Sequence, residues 1–354
     1  MTAGRLRANG LPSAIALGLA AGWVGGPLAA QQPEPLWERL RSTFQQEALT
    51  VGALLQIVGD AQIERSAPGP NGFSVANARF RLEGRLDGGF EYFFQTAFTQ
   101  SPAVLDARVG YRAAEALTLD AGLFKAPVSR EFLTGAGSID FVNRSRVVAG
   151  LAPGRQIGVQ ARGFARAGRL EYRAGVFNGN GIQPGGNDDG RLMYAARLGW
   201  WPWGGPGNSA PTRRAEVGLS VARSDDDAAP VPLFGAAFAG RRLVLGADTR
   251  WRSGPTLVAA ELVLARLNPA GPAGTVAPQG WHATLGRHVT PRSQLLVRWD
   301  ALRGDGVVPD GDQLVLGWNR WPTQATELQV NWLVDLADAA PRRHQILINL
   351  QVAF

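Results

Sequence analysis

Residues Gly122–Gly163 read GLFKAPVSREFLTGAGSIDFVNRSRVVAGLAPGRQIGVQARG. Both ends have the period of a strand. Leu117–Phe124 alternates apolar and polar residues, and in Gln156–Arg162 the apolar Ile157, Val159 and Ala161 alternate with Gln156, Gln160 and Arg162. Between the two runs stand Lys125, Arg130, Arg144, Arg146 and Arg155, against Glu131 and Asp140. A connection this long is unusual inside a compact domain and is usually functional. In a large β-barrel it has a natural place, folded into the lumen. The stretch therefore predicts a barrel whose interior is narrowed by a basic loop.

The rest of the chain fits that frame. Strand-like runs are expected at 49–58, 73–86, 89–99, 104–113, 117–124, 155–164, 169–178, 191–200, 214–222, 241–252, 256–266, 280–289, 294–303, 312–320, 325–335 and 343–354, sixteen in all. Their connections alternate in length. The longer ones are 59–72, 125–154, 179–190, 223–240, 267–279, 304–311 and 336–342, and the shorter include 87–89, 114–116, 253–255 and 290–293. Gln100–Ala103 and Trp201–Arg213 break the alternation. Long loops at one end and tight turns at the other mark an outer-membrane barrel. The strand faces agree. In the last strand Ile346, Ile348, Leu350, Val352 and Phe354 oppose Asn349 and Gln351; in Arg241–Trp251, Leu243, Leu245, Ala247 and Trp251 oppose Arg242, Asp248 and Arg250. Lipid offers no hydrogen bonds, so a membrane sheet must close and turn its apolar face outward. Trp200, Trp201, Trp203, Trp251, Trp318 and Trp321 fall near the short-turn end, with Tyr111. Trp281, Trp299 and Trp332 fall toward the long-loop end. Two aromatic girdles are expected at the two interfaces.

The first thirty residues have a different character. Arg5 and Arg7 precede the apolar run Leu11–Val24 and a small-residue exit ending at Ala30. This predicts a secretory signal peptide over 1–30. A periplasmic segment over 31–48 is then expected, with a short helix at Leu36–Gln46, and a transmembrane barrel over 49–354. Loss of Arg5 and Arg7 lowers the net charge from +7 to +5. The chain has no cysteine, so disulfides and thiol chemistry are excluded. Lys125 is its only lysine. The abundance of Ala, Gly, Pro and Arg together points to compositional bias, so the arginine excess is not itself a sign of phosphate binding.

The series GLFKAPVSREFLT, IDFVNRS and LAPGRQIGVQ, with YRAGVFNGNGI at Tyr172–Ile182 and the closing HQILINLQVAF, resembles the phosphate-selective porin O and P family. The resemblance implies an outer-membrane homotrimer that passes phosphate or polyphosphate by passive diffusion, with no cofactor and no nucleic-acid partner. Phe354 resembles the terminal aromatic that barrel proteins present to their assembly machinery. One departure matters: phosphate-specific members combine an arginine ladder with lysine clusters, which this chain cannot have. A broader anion channel and a weakly selective general porin both stay open.

On the strand period Arg79, Arg81, Arg85, Arg108, Arg112, Arg162, Arg173, Arg197, Arg242, Arg250 and Arg298 face the lumen. So do Glu83, Glu91, Asp106, Asp120, Glu171, Asp248, Glu261 and Asp300. Many of these pair across strands. Uncompensated charge is expected at the constriction, where rings of Arg and Lys select anions. The anion-binding residues expected there are Lys125, Arg130, Arg144, Arg146 and Arg155, with Arg108 and Arg162 on the wall. Arg144 and Arg155 are also candidates for fixing the loop. Gly135-Ala136-Gly137-Ser138 either brings backbone amides to an anion or is a bend. Asn187–Gly190 and Asp225–Asp227 offer oxygen ligands for calcium, or are solvated acidic loops. His282, His288 and His344 stand in no metal spacing, and no Gly-x-Ser-x-Gly elbow is present. A hydrolase barrel with a Ser–His pair on neighbouring strands stays as a remote alternative.

Overall fold

The computed structural model describes residues 47–63, 71–99, 103–183, 186–203, 213–336 and 344–354. The signal segment expected over 1–30 and the helix expected over 36–46 lie outside the described residues, as does nearly all of the 31–48 segment.

Sixteen strands form one closed antiparallel barrel. The first half comprises β1 (Thr50–Gln62), β2 (Gly72–Arg85), β3 (Phe90–Ala97), β4 (Ala103–Ala114), β5 (Leu117–Lys125), β6 (Arg155–Ala165), β7 (Leu170–Phe177) and β8 (Met193–Trp203). The second half comprises β9 (Arg213–Val231), β10 (Ala236–Ser253), β11 (Thr256–Pro269), β12 (Gln279–Thr290), β13 (Ser293–Arg303), β14 (Gly311–Arg320), β15 (Thr326–Asp335) and β16 (His344–Ala353). Each strand pairs with its sequence neighbours. β1 and β16 close the ring in the register Leu54↔Ala353 to Gln62↔Gln345.

Burial is inverted relative to a soluble protein. In β16 Ile348 and Leu350 are 46% and 52% exposed, while Asn349 and Gln351 are 1% and 5% exposed. Arg242, Asp248, Gln329 and Asn331 are likewise buried, and Leu245 and Trp332 exposed. An apolar exterior around a polar interior suits lipid outside and water inside. Trp201 departs from the expected girdle. The alternation of β8 turns it inward with Arg197, and Arg214 lies 4.6 Å over its ring; the register shift between Trp200 and Trp203 returns Trp203 to the exposed face.

The largest departure from the expected strands is the connection 223–240. It is an extended hairpin, because Asp225–Asp227 continues the alternation of β9 and is not a free loop. Asp226 is buried beside Arg242 at 3.4 Å, and Asp225 opposes Arg241. The turn itself is Pro232–Gly235, with Gly235 left-handed at φ 64°.

The connection 126–154 carries two short helices, α1 (Arg130–Leu133) and α2 (Arg146–Leu151). The chain bends into it at Ser129, a buried residue held at φ 65°, whose hydroxyl accepts the Phe132 N–H at 3.0 Å. Val147, Val148 and Leu151 of α2 join Phe177, Met193, Phe238, Val244, Val263 and Leu267 in an apolar cluster against β7–β11. Phe141 joins Leu257, Leu296, Val315 and Leu333 in a second. Phe141 fits against the wall where β14 carries Gly317, which has no side chain. A Cβ on Gly317 would stand 2.9 Å from the Phe141 ring. Gly317→Ala is therefore expected to displace Phe141 and lower stability by about 1–3 kcal/mol, the usual cost of overpacking. Thermal unfolding of the purified barrel measures it.

Candidate functional site: a basic passage beside the inserted segment

The segment's polar groups are bound to inward-facing groups of eight strands. Arg130 Nε donates to Glu216 of β9 at 2.8 Å, and the Glu131 N–H to Glu261 of β11 at 3.0 Å. Asp140 accepts both Arg250 guanidinium nitrogens from β10 (2.5 and 2.8 Å), and its carbonyl accepts Asn319 of β14 at 2.8 Å. The Arg146 N–H donates to Asp300 of β13 at 3.0 Å, and its guanidinium donates to the Asp300 and Gly311 carbonyls, both at 2.7 Å. Gln329 and Asn331 of β15 bond Ile139 and Val142 at 3.1 and 2.7 Å. Gln351 of β16 donates to the Gly137 carbonyl at 3.1 Å, and Gln56 of β1 to Ala136 at 3.4 Å. The attachments thus run from β9 round to β1, on the face opposite the exposed apolar residues.

Asp140 is held below the ordinary aspartate range. Burial opposes its charge, but the two hydrogen bonds and the charge of Arg250 prevail. A lowered carboxylate pKa makes the pair's contribution complete above the ordinary aspartate value, ~3.9, and lost only as pH falls through the lowered value. The current noise of the open channel is therefore expected to be the same at pH 5 as at pH 7 as far as this attachment is concerned. Recordings at the two values check it.

On the other side of the segment lies a cavity of about 560 Å³. Its charged lining is Arg79 and Arg81 of β2, Arg108 of β4, Lys125, Arg155 and Arg173 of β7, against Glu83 and Asp106. Pairing then decides how much of that charge is left. Arg155 donates to Asp106 at 2.9 Å, and Arg173 pairs with Glu171 at 2.6 Å. Arg108 and Arg162 share Glu91 and Asp120: Arg108 stands at 3.3 and 3.5 Å, and Arg162 lies 2.7 Å from Asp120 and bonds Glu91 as well. Among the described residues no carboxylate lies within 4.0 Å of Arg79, Lys125 or Arg144, and Arg81 has Glu83 at 3.6 Å.

Those cations differ in what their protons do. Lys125 Nζ donates to the carbonyls of Phe132, Leu133 and Thr134 at 2.6, 3.3 and 2.9 Å. Arg144 donates to the Glu131 and Thr134 carbonyls at 3.2 and 2.7 Å. Both lie over the Phe132 ring, at 5.2 and 5.7 Å. They close the C-terminal end of α1, where cations are favoured. Burial lowers the Arg144 pKa, Glu131 opposes this, and Arg155 adds to it. Lys125 and Arg144 thus spend donors on the segment's own carbonyls. The guanidinium Nε–H groups of Arg79, Arg81 and Arg108, in contrast, are buried and without a hydrogen-bond partner among the described residues.

The expected site residues therefore divide. Lys125, Arg155 and Arg108 line the cavity. Arg144 stands behind Lys125, and Arg162 stands in the paired network with Arg108. Arg130 and Arg146 are ion-paired to Glu216 and Asp300, the latter at 3.7 Å, and face the attached side. Arg79 and Arg81 were readable as lumen-facing from the alternation in NARFRLEGR. Nothing in the sequence shows that they line the cavity while Arg130 and Arg146 are tied to acids on the other side. The two acidic stretches considered for calcium come together, and Arg191 bonds both, its backbone N–H donating to Asp189 at 2.8 Å and its guanidinium to the second stretch. Arg191 Nη1 donates to Asp225 at 3.0 Å and to Asp227 at 2.9 Å, and the Asp227 N–H donates to Asp189 at 3.1 Å.

The fold is similar to the anion-selective porin from Comamonas acidovorans, with a TM-score of 0.65 and 11% identity over 87% of this chain and 99% of that one. It is similar to Pseudomonas putida OprB, with a TM-score of 0.61 and 11% identity over 90% and 97% of the two chains. The trimer form of Vibrio cholerae OmpT gives 0.58 and 10% identity over 87% and 100%. No curated protein matches the sequence. The family and fold point to a channel and not to the hydrolase barrel. The sequence model for phosphate-selective porin O and P matches residues 60–298, and the chain belongs to that family of bacterial outer-membrane porins.

Proposed function

We propose that the chain forms a passive outer-membrane channel for small anions, with the constriction between the inserted segment and the basic wall of β2, β4, β6 and β7. One observation supports this above the others. Arg79, Lys125 and Arg144 have no carboxylate partner among the described residues, in a passage whose lining carries six basic groups against two acidic ones. A cation entering it meets uncompensated like charge. An anion meets the guanidinium groups that line it, in a weakly screened space. Phosphate or polyphosphate is the solute the family suggests, and the anion selectivity of the Comamonas acidovorans porin supports the anion class. A weakly selective general porin is the second reading. It draws on the pairs that neutralise Arg108, Arg155, Arg162 and Arg173.

Export through a signal peptide at 1–30, assembly through Phe354 and a lipid-embedded homotrimer complete the proposal. Phe354 exchanges backbone hydrogen bonds with Ala53, at 3.0 and 3.1 Å, so its side chain sits where the barrel closes. Chloride current through single channels, titrated with phosphate, tests the solute. Reduction of the current at millimolar phosphate is the expected result; no reduction leaves the broader anion channel.

A further inference from the structure

The same cavity has an apolar component that anion passage alone does not need. Barrel lumens are polar, and four of the inserted segment's large apolar residues are consumed in packing: Phe141, Val147, Val148 and Leu151 are at most 2% exposed. Leu133 of the segment, Leu54 of β1 and Phe93 of β3 line the cavity and remain partly exposed. Leu133–Ser138, which forms the segment's side of the passage, contains no charged residue. Across from it the guanidinium groups of Arg79, Arg81 and Arg108 line the cavity. Phe93 opposes Arg108 in register, with the guanidinium 5.9 Å over its ring.

Donors and hydrocarbon thus share one space. Inorganic phosphate carries acceptors on all sides, and those turned toward Leu54, Phe93 and Leu133 would find no donor there, which is costly away from water. A carboxylate has both oxygens at one end. We propose that the passage favours aryl carboxylates, the carboxylate on the arginines and the ring against Phe93 and Leu133, over inorganic anions and acetate. The cavity, about 560 Å³, exceeds the ~150 Å³ that holds a benzene ring. This proposal rests on the anion-channel reading and deepens it.

The test uses the whole channel in a planar bilayer, with benzoate, acetate or phosphate titrated against chloride current at constant ionic strength. Benzoate is expected to half-block at about tenfold lower concentration than acetate, which corresponds to roughly 55 Å² of apolar surface withdrawn from water. Phe93→Ser and Leu133→Ser, made separately, should each narrow that gap while the sign of the salt-gradient reversal potential stays the same. Equal block by benzoate and acetate in an anion-preferring channel overturns the proposal and leaves the anion reading intact. So does a benzoate advantage that survives both substitutions. A channel without anion preference removes the reading and the proposal together, and the reversal potential shows which has failed.

Discussion

Replacing Arg79 and Arg81 with glutamate is expected to reverse the ion preference of the channel. Both guanidinium groups line the passage. Arg79 has no carboxylate within 4.0 Å among the described residues, and Arg81 has one, Glu83, at 3.6 Å. A unit charge about 4 Å from a passing ion is worth roughly 4 kcal/mol at an effective dielectric of ~20, before screening. The two substitutions exchange two positive charges for two negative ones in the lining of the cavity beside the segment. Screening at ~0.15 M salt acts beyond ~8 Å, so charges elsewhere in the barrel cannot compensate. The reversal potential in a potassium chloride gradient should change sign. Arg130→Glu and Arg146→Glu should behave differently. They set a carboxylate against Glu216 and Asp300, and are expected to impair folding of the segment before they alter preference.

Asp140→Ala is expected to detach the segment. It removes the acceptor of both Arg250 hydrogen bonds and leaves a largely buried guanidinium without that partner. Breaking a buried ion pair from one side costs ~3–5 kcal/mol, and the partial exposure of this pair brings the expectation to about 2 kcal/mol. The apolar clusters around Phe141 and α2 remain, so the barrel should still fold. Single-channel steps should become larger and noisier, and the thermal transition should fall. Unchanged conductance and noise would show that Asp140 does not hold the segment.

The barrel was legible because its period is local. Each strand carries its own alternation, and the lipid requirement makes that alternation unusually strict. Connection 223–240 was misread because three consecutive aspartates look solvated, while across the hairpin Arg242 and Arg241 meet Asp226 and Asp225. The site was legible in sign but not in assignment. The loop's five basic residues against two acidic ones suggested that the loop carries the selectivity. In the fold, Arg130 and Arg146 reach acids on β9 and β13, and Lys125 and Arg144 reach the carbonyls ending α1. The Arg130 and Arg146 pairings join positions 86 and 154 residues apart, and no spacing in the chain records them. Arg79 and Arg81 stand out only when those partners have been assigned.

The most direct measurement is the reversal potential of the unmodified channel in a planar bilayer with a tenfold potassium chloride gradient. The uncompensated charge of Arg79, Lys125 and Arg144 predicts a clear potential of the sign given by chloride preference, and one that shrinks as salt rises. A potential near zero, or of the potassium sign, would contradict the account.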